Sequence, residues 1–405
     1  MQQYIDEVLN NNPDIRSMAA SVKAAAYGIN IASAKTLPHA NLNITGNRGK
    51  DSLTKETSNS ASASVDVSWA LDIWGGLSDD AMAAQFLSKK AKYDLRQVKR
   101  DFITQAAHAW VEYSNVVRVE RDLSKLNSVL TQLLGHYQEN YEAGLTPYEF
   151  NLDAKNNLKR SEIRLQEIQL ERVKSHQRMN VLRGRSPSET LDIRDSKLPL
   201  TLVALPDSIS SASLANRPDI QAAFAGVQAI SHAARSAHKA LLPQINLTGS
   251  ALKSGETLKK AFHSDLIWQL VGGLTQPLFQ GGQLRAIANQ KSAEAEASWW
   301  QYQRIVLQAL LEVEHAMISD KSFSQRIEQN QSRLRSKELK YFSAEERFSN
   351  GDLPLSNFLH VKAEMIEAHI ELREVELQYI KNRLVLVKSL GLPIETLLGI
   401  GNEKS

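Results

Sequence analysis

The chain of 405 residues contains no cysteine, which excludes a disulfide framework and any zinc or redox site built on thiolate. Glycine and proline are sparse, at 19 and 11 residues, too few for a disordered or collagen-like polymer. Charge of one sign is lacking as well. Against 48 basic residues stand 45 acidic ones, so a net charge of +3 gives no strong pull toward nucleic acid. No apolar run reaches the roughly 18 residues that a membrane-spanning helix needs. The segment from Met1 to Ile15 has no basic-then-apolar export signature. Composition by itself suits two or three soluble domains.

Catalytic motifs are equally scarce. There is no Gly-x-x-x-x-Gly-Lys-Ser/Thr phosphate loop, no His-Glu-x-x-His pair and no Gly-x-Ser-x-Gly elbow. His232 and His238 are six apart and fall on different helix faces. Six methionines are scattered from Met1 to Met365 and form no soft-metal cluster. The expectation is therefore a chain with no enzymatic activity, no cofactor and no metal site, and with no catalytic residue to assign. The adjacent Trp299 and Trp300 are expected to pack between helices.

What the sequence does contain is a duplication. Asn11-Asn12-Pro13-Asp14-Ile15 returns as Asn216-Arg217-Pro218-Asp219-Ile220. Leu37-Pro38 returns as Leu242-Pro243, Gly75-Gly76 as Gly281-Gly282, Gly144 with Pro147 as Gly351 with Pro354, and Gly184 as Gly391. The offset stays at about 205 to 207 residues, so the chain holds two copies of one architecture. Each copy predicts a helix of about 30 residues, two strands, a very long helix, a tight turn and another long helix. The very long helices are expected from about Ser78 to Glu142 and from about Gln283 to Ser349. At 1.5 Å per residue each measures roughly 95–100 Å, far beyond an ordinary globular helix.

The last helix carries two apolar seams with alternating spacings of four and three. One is Val361, Met365, Ala368, Leu372, Val375, Tyr379, Asn382 and Leu386; the other is Ile366, Ile370, Arg373, Leu377, Ile380, Leu384 and Val387. They lie roughly 150° apart around the axis. One polar strip between them includes Glu364, Glu367, Glu371 and Glu374, and the other carries Lys362, His369, Glu376 and Arg383. A helix on a solid core has one apolar and one wet face. Two apolar flanks with a wet front and back suit a helix in a wall, as in a hollow helical barrel. A solvated coiled-coil bundle is the alternative, and Arg373 and Asn382 interrupt the seams.

Four segments alternate with period two. These are Asn41 to Asn47, Ser60 to Trp74, Gln244 to Ala251 and Leu266 to Thr275. The loops near Arg48–Asn59 and Lys253–Ser264 are polar and charged. Strands of this length suit a tilted crossing of a bilayer. Four strands cannot close a barrel, and open edges cannot sit in lipid. Three protomers would supply twelve strands and would also close a ring of helices.

With these residues in view, the chain resembles the TolC-like outer-membrane factors over nearly its whole length. The segment Trp69-Ala70-Leu71-Asp72-Ile73-Trp74-Gly75-Gly76 is similar to the strand-to-helix signature of the branch that works with RND-type pumps. The doubled Asn-x-Pro-Asp-Ile, the run Gln276 to Gly282 and the two glycine turns match as well. The resemblance implies an α+β membrane protein: internally duplicated long helical hairpins forming a periplasmic helical barrel, plus four strands per protomer in a trimeric twelve-stranded transmembrane β-barrel.

On this view residues 1–36 are the first-copy N-terminal helix, 37–77 the first outer-membrane β-hairpin and 78–183 the first periplasmic helical hairpin. Residues 184–212 form a connector containing Pro187, Pro199 and Pro206. Then follow the second-copy helix at 213–241, the second β-hairpin at 242–282, the second helical hairpin at 283–391 and a tail at 392–405. Implied partners are two further copies of the chain, a periplasmic adaptor protein, an inner-membrane RND-type pump and outer-membrane lipid, with no nucleic acid. The implied adaptor contacts are the turns Gly144-Leu145-Thr146 and Gly351-Asp352-Leu353.

The resemblance also implies an acidic ring near the second turn, but the matching positions here are Asn357 and His360. Asp153 sits at the comparable place in the first copy, and Phe348 replaces the usual tyrosine. A ring of three His360 side chains would repel when protonated and loosen the tip. The expected export signal and lipidated cysteine are absent from the sequence, as is a segment that usually precedes the first helix; a trimmed start is the simplest account. The function implied is a passive exit duct of a tripartite efflux system. Alternatives are the duct of a type I secretion system and a soluble coiled-coil scaffold.

Overall fold

The computed structural model of the protein describes residues 1–50, 56–190 and 214–392. The expected N-terminal helix is two helices, α1 (Gln2–Asn11) and α2 (Pro13–Ala34), broken at Asn12, whose backbone is extended at φ −60° and ψ 127°. Pro13 is the cause: it has no N–H to donate, and its ring pushes the preceding residue out of the helical region. Asn12 then caps α2, its Oδ1 accepting from the amides of Asp14 and Ile15 at 2.9 and 3.3 Å.

The first copy continues through β1 (His39–Lys50), β2 (Thr57–Leu71), α3 (Gly76–Glu142) and α4 (Tyr148–Leu182). The second runs through α5 (Pro218–Lys239), β3 (Gln244–Gly255), α6 (Leu258–Phe262), β4 (Ile267–Thr275), α7 (Gln283–Ser349) and α8 (Leu355–Ser389). Helix α7 has the bounds that periodicity predicted. Strand β2 has the predicted length but is displaced by three residues, beginning at Thr57 and ending at Leu71 and not at Trp74, because Asp72 is taken up by the start of α3. The loop expected at Lys253–Ser264 holds the short helix α6, whose Lys260 amide donates to Thr257 Oγ1 at 3.3 Å. Strands β1 and β2 extend into the loop expected at 48–59, and its residues 51–55 lie outside the described residues. So do Pro199 and Pro206 of the connector and the tail beyond Leu392.

The chain forms two compact units. One comprises Met1–Ser17, Arg96–Pro218 and Leu307–Ser405, the other Met18–Leu95 and Asp219–Val306. Helices α3 and α7 each contribute to both.

In the first unit, both flanks of α8 are occupied. Ile366 and Ile370 join Leu126 and Leu133 of α3 in one buried cluster, and Ile380, Leu384 and Val387 join Ile103 and Ala107 in another. On the opposite flank Ala368 and Leu372 pack on Leu334 of α7. The two interruptions of the seams are bonded: Arg373 Nε meets Asp122 Oδ2 at 2.6 Å, and Asn382 Nδ2 donates to the Ala316 carbonyl at 3.0 Å. Between the flanks Glu367, Glu374 and Gln378 are exposed. This is the wall-helix pattern, with neighbours on two sides.

The second unit holds one antiparallel sheet in the order β1-β2-β3-β4. Its register lines up Leu42, Val65, Ala251 and Trp268 in one row, and Ala40, Val67, Gly249 and Leu270 in the next. This apolar face is bare: Leu42 is 68% exposed, Leu270 64% and Trp268 74%. The other face is polar. There Asn43 Nδ2 donates to Asp66 at 2.7 Å, Ser64 donates to the same carboxylate at 2.8 Å, and the Thr45 and Ser62 hydroxyls are 2.7 Å apart.

Leu133 is fully buried between the two hairpins of the first unit. Leu133→Ala is expected to cost about 2–5 kcal/mol of stability, read by denaturant unfolding followed by circular dichroism in detergent. A loss no larger than that of an exposed Leu339→Ala control would show that this cluster is not a core.

Candidate functional site at the hairpin turns and the strand-to-helix junction

Both hairpin turns are built alike. The amides of Gly144 and Leu145 donate to the carbonyls of Tyr141 and Asn140, and those of Gly351 and Asp352 to Phe348 and Arg347. Each glycine has positive φ, +71° and +81°, the left-handed conformation that ends a helix in this way. Pro147 and Pro354 then sit at the N-caps of α4 and α8. Leu145 is 74% exposed at its tip. Aromatic rings brace both turns. Tyr141 lies 5.0 Å from Tyr148, and Phe348 stacks on Phe358 with centroids 4.8 Å apart and planes within 5°. Phe348, at the place where the resemblance implies a tyrosine, thus braces its own turn by ring stacking.

Asn357 and His360 line one shallow depression with Lys340, Arg347 and Glu364. Asp153 is not among its lining residues and is exposed on α4. His360 has a partner in its own chain: its Nε2 lies 3.1 Å from the Tyr137 hydroxyl on α3. Three ion pairs further along join the same two helices. They are Asp122 with Arg373 at 2.6 Å, Glu112 with Lys381, and Asp101 with Lys388 at 2.6 Å.

At the junction in the other unit, Asp72 accepts from the Leu77 and Ser78 amides at 2.9 and 2.7 Å and from the Ser78 hydroxyl at 2.6 Å. It thus caps α3, where a carboxylate also meets the positive end of the helix dipole. Trp74 Nε1 donates to the Pro243 carbonyl at 2.6 Å, and Trp69 Nε1 to the Thr36 carbonyl at 2.9 Å. The signature residues Trp69, Leu71, Asp72, Trp74, Gly75 and Gly76 thus tie a strand, a helix and the following repeat together.

One turn further, Asp79 is 8% exposed and faces three side chains on α5: Lys239 at 2.6 Å, His232 at 2.7 Å and Arg235 at 3.5 Å. Burial pushes its carboxyl up. Hydrogen bonds from Lys239 and His232 and the charges of Lys239 and Arg235 outweigh this and hold it below the ordinary carboxylate value.

The family model for outer membrane efflux proteins matches residues 4–185 and 209–392. The chain belongs to the outer membrane efflux protein family. It is accordingly an outer-membrane protein of transport and not an enzyme. It is 24% identical to the pyoverdine export outer membrane protein OpmQ of Pseudomonas putida, over 96% of this chain and 85% of that protein. It is 24% identical to toxin and drug export protein A of Aggregatibacter actinomycetemcomitans, over 78% and 69%. Crystal structures of CusC superpose with a TM-score of 0.87 at 19% identity, covering 97% of this chain and 92% of that one. The Campylobacter jejuni CmeC outer membrane channel gives 0.86 at 20% identity, covering 96% and 85%. The fold is therefore that of the outer membrane efflux proteins.

Of the residues singled out from sequence in this family member, Asn357 and His360 come together, as do the residues of each turn and of the junction. Asp79 with Lys239 and Tyr137 with His360 were not foreseen; their partners lie 160 and 223 residues apart, beyond any local pattern. Trp299 and Trp300 do not pack between helices of the chain. They are 42% and 59% exposed, with Trp299 against Tyr302 at 5.5 Å, whose ring in turn lies 5.6 Å from Phe224 of α5.

Because the folded Asp79 carboxyl lies below its unfolded value, the cluster stabilises above the ordinary carboxylate range. That contribution is lost as pH falls through the folded value, below about pH 4. Asp79→Asn is expected to lower the unfolding temperature at pH 7 and to flatten its fall between pH 7 and pH 3. An unaltered pH dependence in the variant would remove Asp79 as the source.

Proposed function

We propose that three copies of the chain form an outer-membrane channel, the passive exit duct of a tripartite efflux system for drugs or other small toxic compounds. The observation that carries this is the bare apolar face of the sheet between two unpaired edges, β1 and β4. Such a face in water is an aggregation site, and an open edge in lipid leaves backbone groups unsatisfied. Both are resolved if lipid covers the face and further copies close the edges into a twelve-stranded barrel. The polar face with Asn43, Asp66, Thr45 and Ser62 then lines water.

In this reading the long helical hairpins stand in the periplasm, and the turns at Gly144-Leu145-Thr146 and Gly351-Asp352-Leu353 receive a periplasmic adaptor. An inner-membrane RND-type pump supplies the energy. Pyoverdine export by one relative and drug export by another support small-molecule cargo. Asn357, His360 and Asp153 are the gate candidates, with the Tyr137–His360 bond holding the second hairpin to the first.

Light scattering in detergent is expected to give a trimer, and planar bilayers are expected to show discrete conductance. A soluble monomer without detergent, with no conductance, would instead indicate a coiled-coil scaffold. His360→Ala, which removes the bond to Tyr137, is expected to raise single-channel conductance at pH 7. Equal conductance of wild type and variant would dismiss His360 as part of the gate.

A further inference from the structure

The apolar face of the sheet does not keep its character along the whole length of the strands. On β1 the series Leu42, Ile44 and Gly46 gives way to Arg48 and Lys50, and on β3 the series Leu247, Gly249 and Ala251 gives way to Lys253. Alternation puts all of these on the one face. Both changes come where the β1–β2 and β3–β4 connections lie, at the end of the sheet opposite the start of α3. The polar face of the same stretch, with Asn47, Ser58, Ser60 and Ser254, carries no charge. Basic residues placed by solvation alone would fall on both faces. Here they fall only on the face that is apolar over the rest of the strands.

Helix α6 rests on that same face. A Cβ at Gly255 would stand 2.6 Å from the Ala261 amide nitrogen and 2.9 Å from the Lys260 carbonyl carbon, so this glycine is what lets the helix lie against β3. Ala61, opposite Gly255 on β2, is buried, and Ala261 is fully buried. Lys253 Nζ donates to the Phe262 carbonyl at 3.1 Å and ties down the end of the helix. Leu258 and Phe262 are four apart, hence on one side of the helix, and both are exposed. Lys260 is paired with Glu256. Among the described residues no ion pair engages Arg48, Lys50, Lys253 or Lys259. This end of the face therefore combines unneutralised cations with bare apolar side chains.

We propose that this end of the apolar face, with α6 upon it, is a seat for a phosphate-bearing anionic lipid of the leaflet farther from the long helices. The proposal rests on the membrane reading above and adds to it the chemical class of the lipid and the residues that select it. Arg48, Lys50, Lys253 and Lys259 meet the lipid phosphates, and Leu258, Phe262 and Trp268 lie along the acyl chains. Lys253 has three protons and spends one on the Phe262 carbonyl, which leaves two for a phosphate. Long basic side chains reach headgroups while their stems stay on apolar surface. At this depth a cation on the lipid side meets phosphate, whereas one on the polar face would meet only water. That difference accounts for the restriction of the basic residues to one face. The cations also continue an apolar band without a break, which suits a molecule with a charged head and greasy chains.

The test offers the full chain in detergent equal amounts of phosphatidylglycerol and phosphatidylcholine and counts the lipid retained by native mass spectrometry. Each basic group beside an anionic lipid strengthens its hold by about fivefold, so the wild type is expected to favour phosphatidylglycerol by roughly tenfold or more. The triple variant Arg48→Gln, Lys50→Gln and Lys259→Gln is expected to fall below about twofold, while Arg48→Lys with Lys50→Arg and Lys259→Arg keeps the preference. Lys89→Gln with Lys92→Gln, which removes two exposed cations from α3, is expected to leave it unchanged. Equal retention of the two lipids by the wild type, or a preference that the triple variant keeps, overturns the proposal and leaves the channel standing. Inorganic phosphate, which has no chains, is expected to displace the lipid no better than chloride at equal ionic strength. Displacement by phosphate in particular would make this a site for a free anion and likewise overturn the lipid assignment. A particle that stays soluble without detergent and retains neither lipid overturns the membrane reading itself.

Discussion

Everything in this molecule answers to one constraint: a four-stranded sheet with two open edges and an uncovered apolar face. Backbone N–H and C=O groups on an open edge have no partner in hydrocarbon, and each costs several kcal/mol there. The rows through Leu42, Val65 and Trp268, and through Ala40, Val67 and Leu270, present an apolar face that the described residues leave exposed. Four strands fall short of the roughly eight found in the smallest known single-chain barrels. The shortage must be met by other chains, and whatever multiplicity closes the strands is imposed on the helices that follow them. Helix α8 shows how the helices comply, with one flank on α3, the other on α7, and water on the two remaining sides.

The duplication supplies both halves of this design while letting their details diverge. The first junction is capped by Asp72, and its counterpart by the paired-glycine offset is Leu278, which is 92% exposed and has no carboxylate to offer the next helix. The first tip helix carries Tyr137, which reaches His360; the corresponding residue of the second is Ala344. A polar group in one copy and a small or apolar one in the other recurs along both long helices. The scaffold has been kept twice, whereas the cross-links have been kept once.

Much of this was legible in the amino-acid sequence, for reasons specific to each element. Proline-free heptads bounded by Gly282 and Gly351 mark α7 almost without ambiguity, because interior stability comes from the seam and the ends from glycine in the left-handed conformation. The alternation of Val65, Val67 and Trp69 places β2 but continues past its end at Leu71. Asp72, Ile73 and Trp74 continue the period while the Asp72 carboxylate is drawn to the α3 amides, and a cap that stabilises a helix overrides a pattern that only permits a strand. The break at Asn12 follows from Pro13, whose effect on the preceding residue outweighs continuous helical periodicity. The cross-hairpin pairs were not legible. Residues such as Glu112 and Lys381 occupy positions that suit any solvated strip, and only the folded chain brings them together.

The charged residues between the α8 seams are spent laterally. Glu364 pairs with Lys337 and Lys340, and Arg373 pairs with Asp122, so that charge ties helix to helix. A conduit needs its wet faces to be polar and its joints to hold, and it gains nothing from a binding site that would retain cargo. Control in such a wall can reside only in the joints, since a helix clamped on both flanks cannot move alone. The joint that carries Tyr137–His360, Asp122–Arg373, Glu112–Lys381 and Asp101–Lys388 resists sliding through pairs that each need one register.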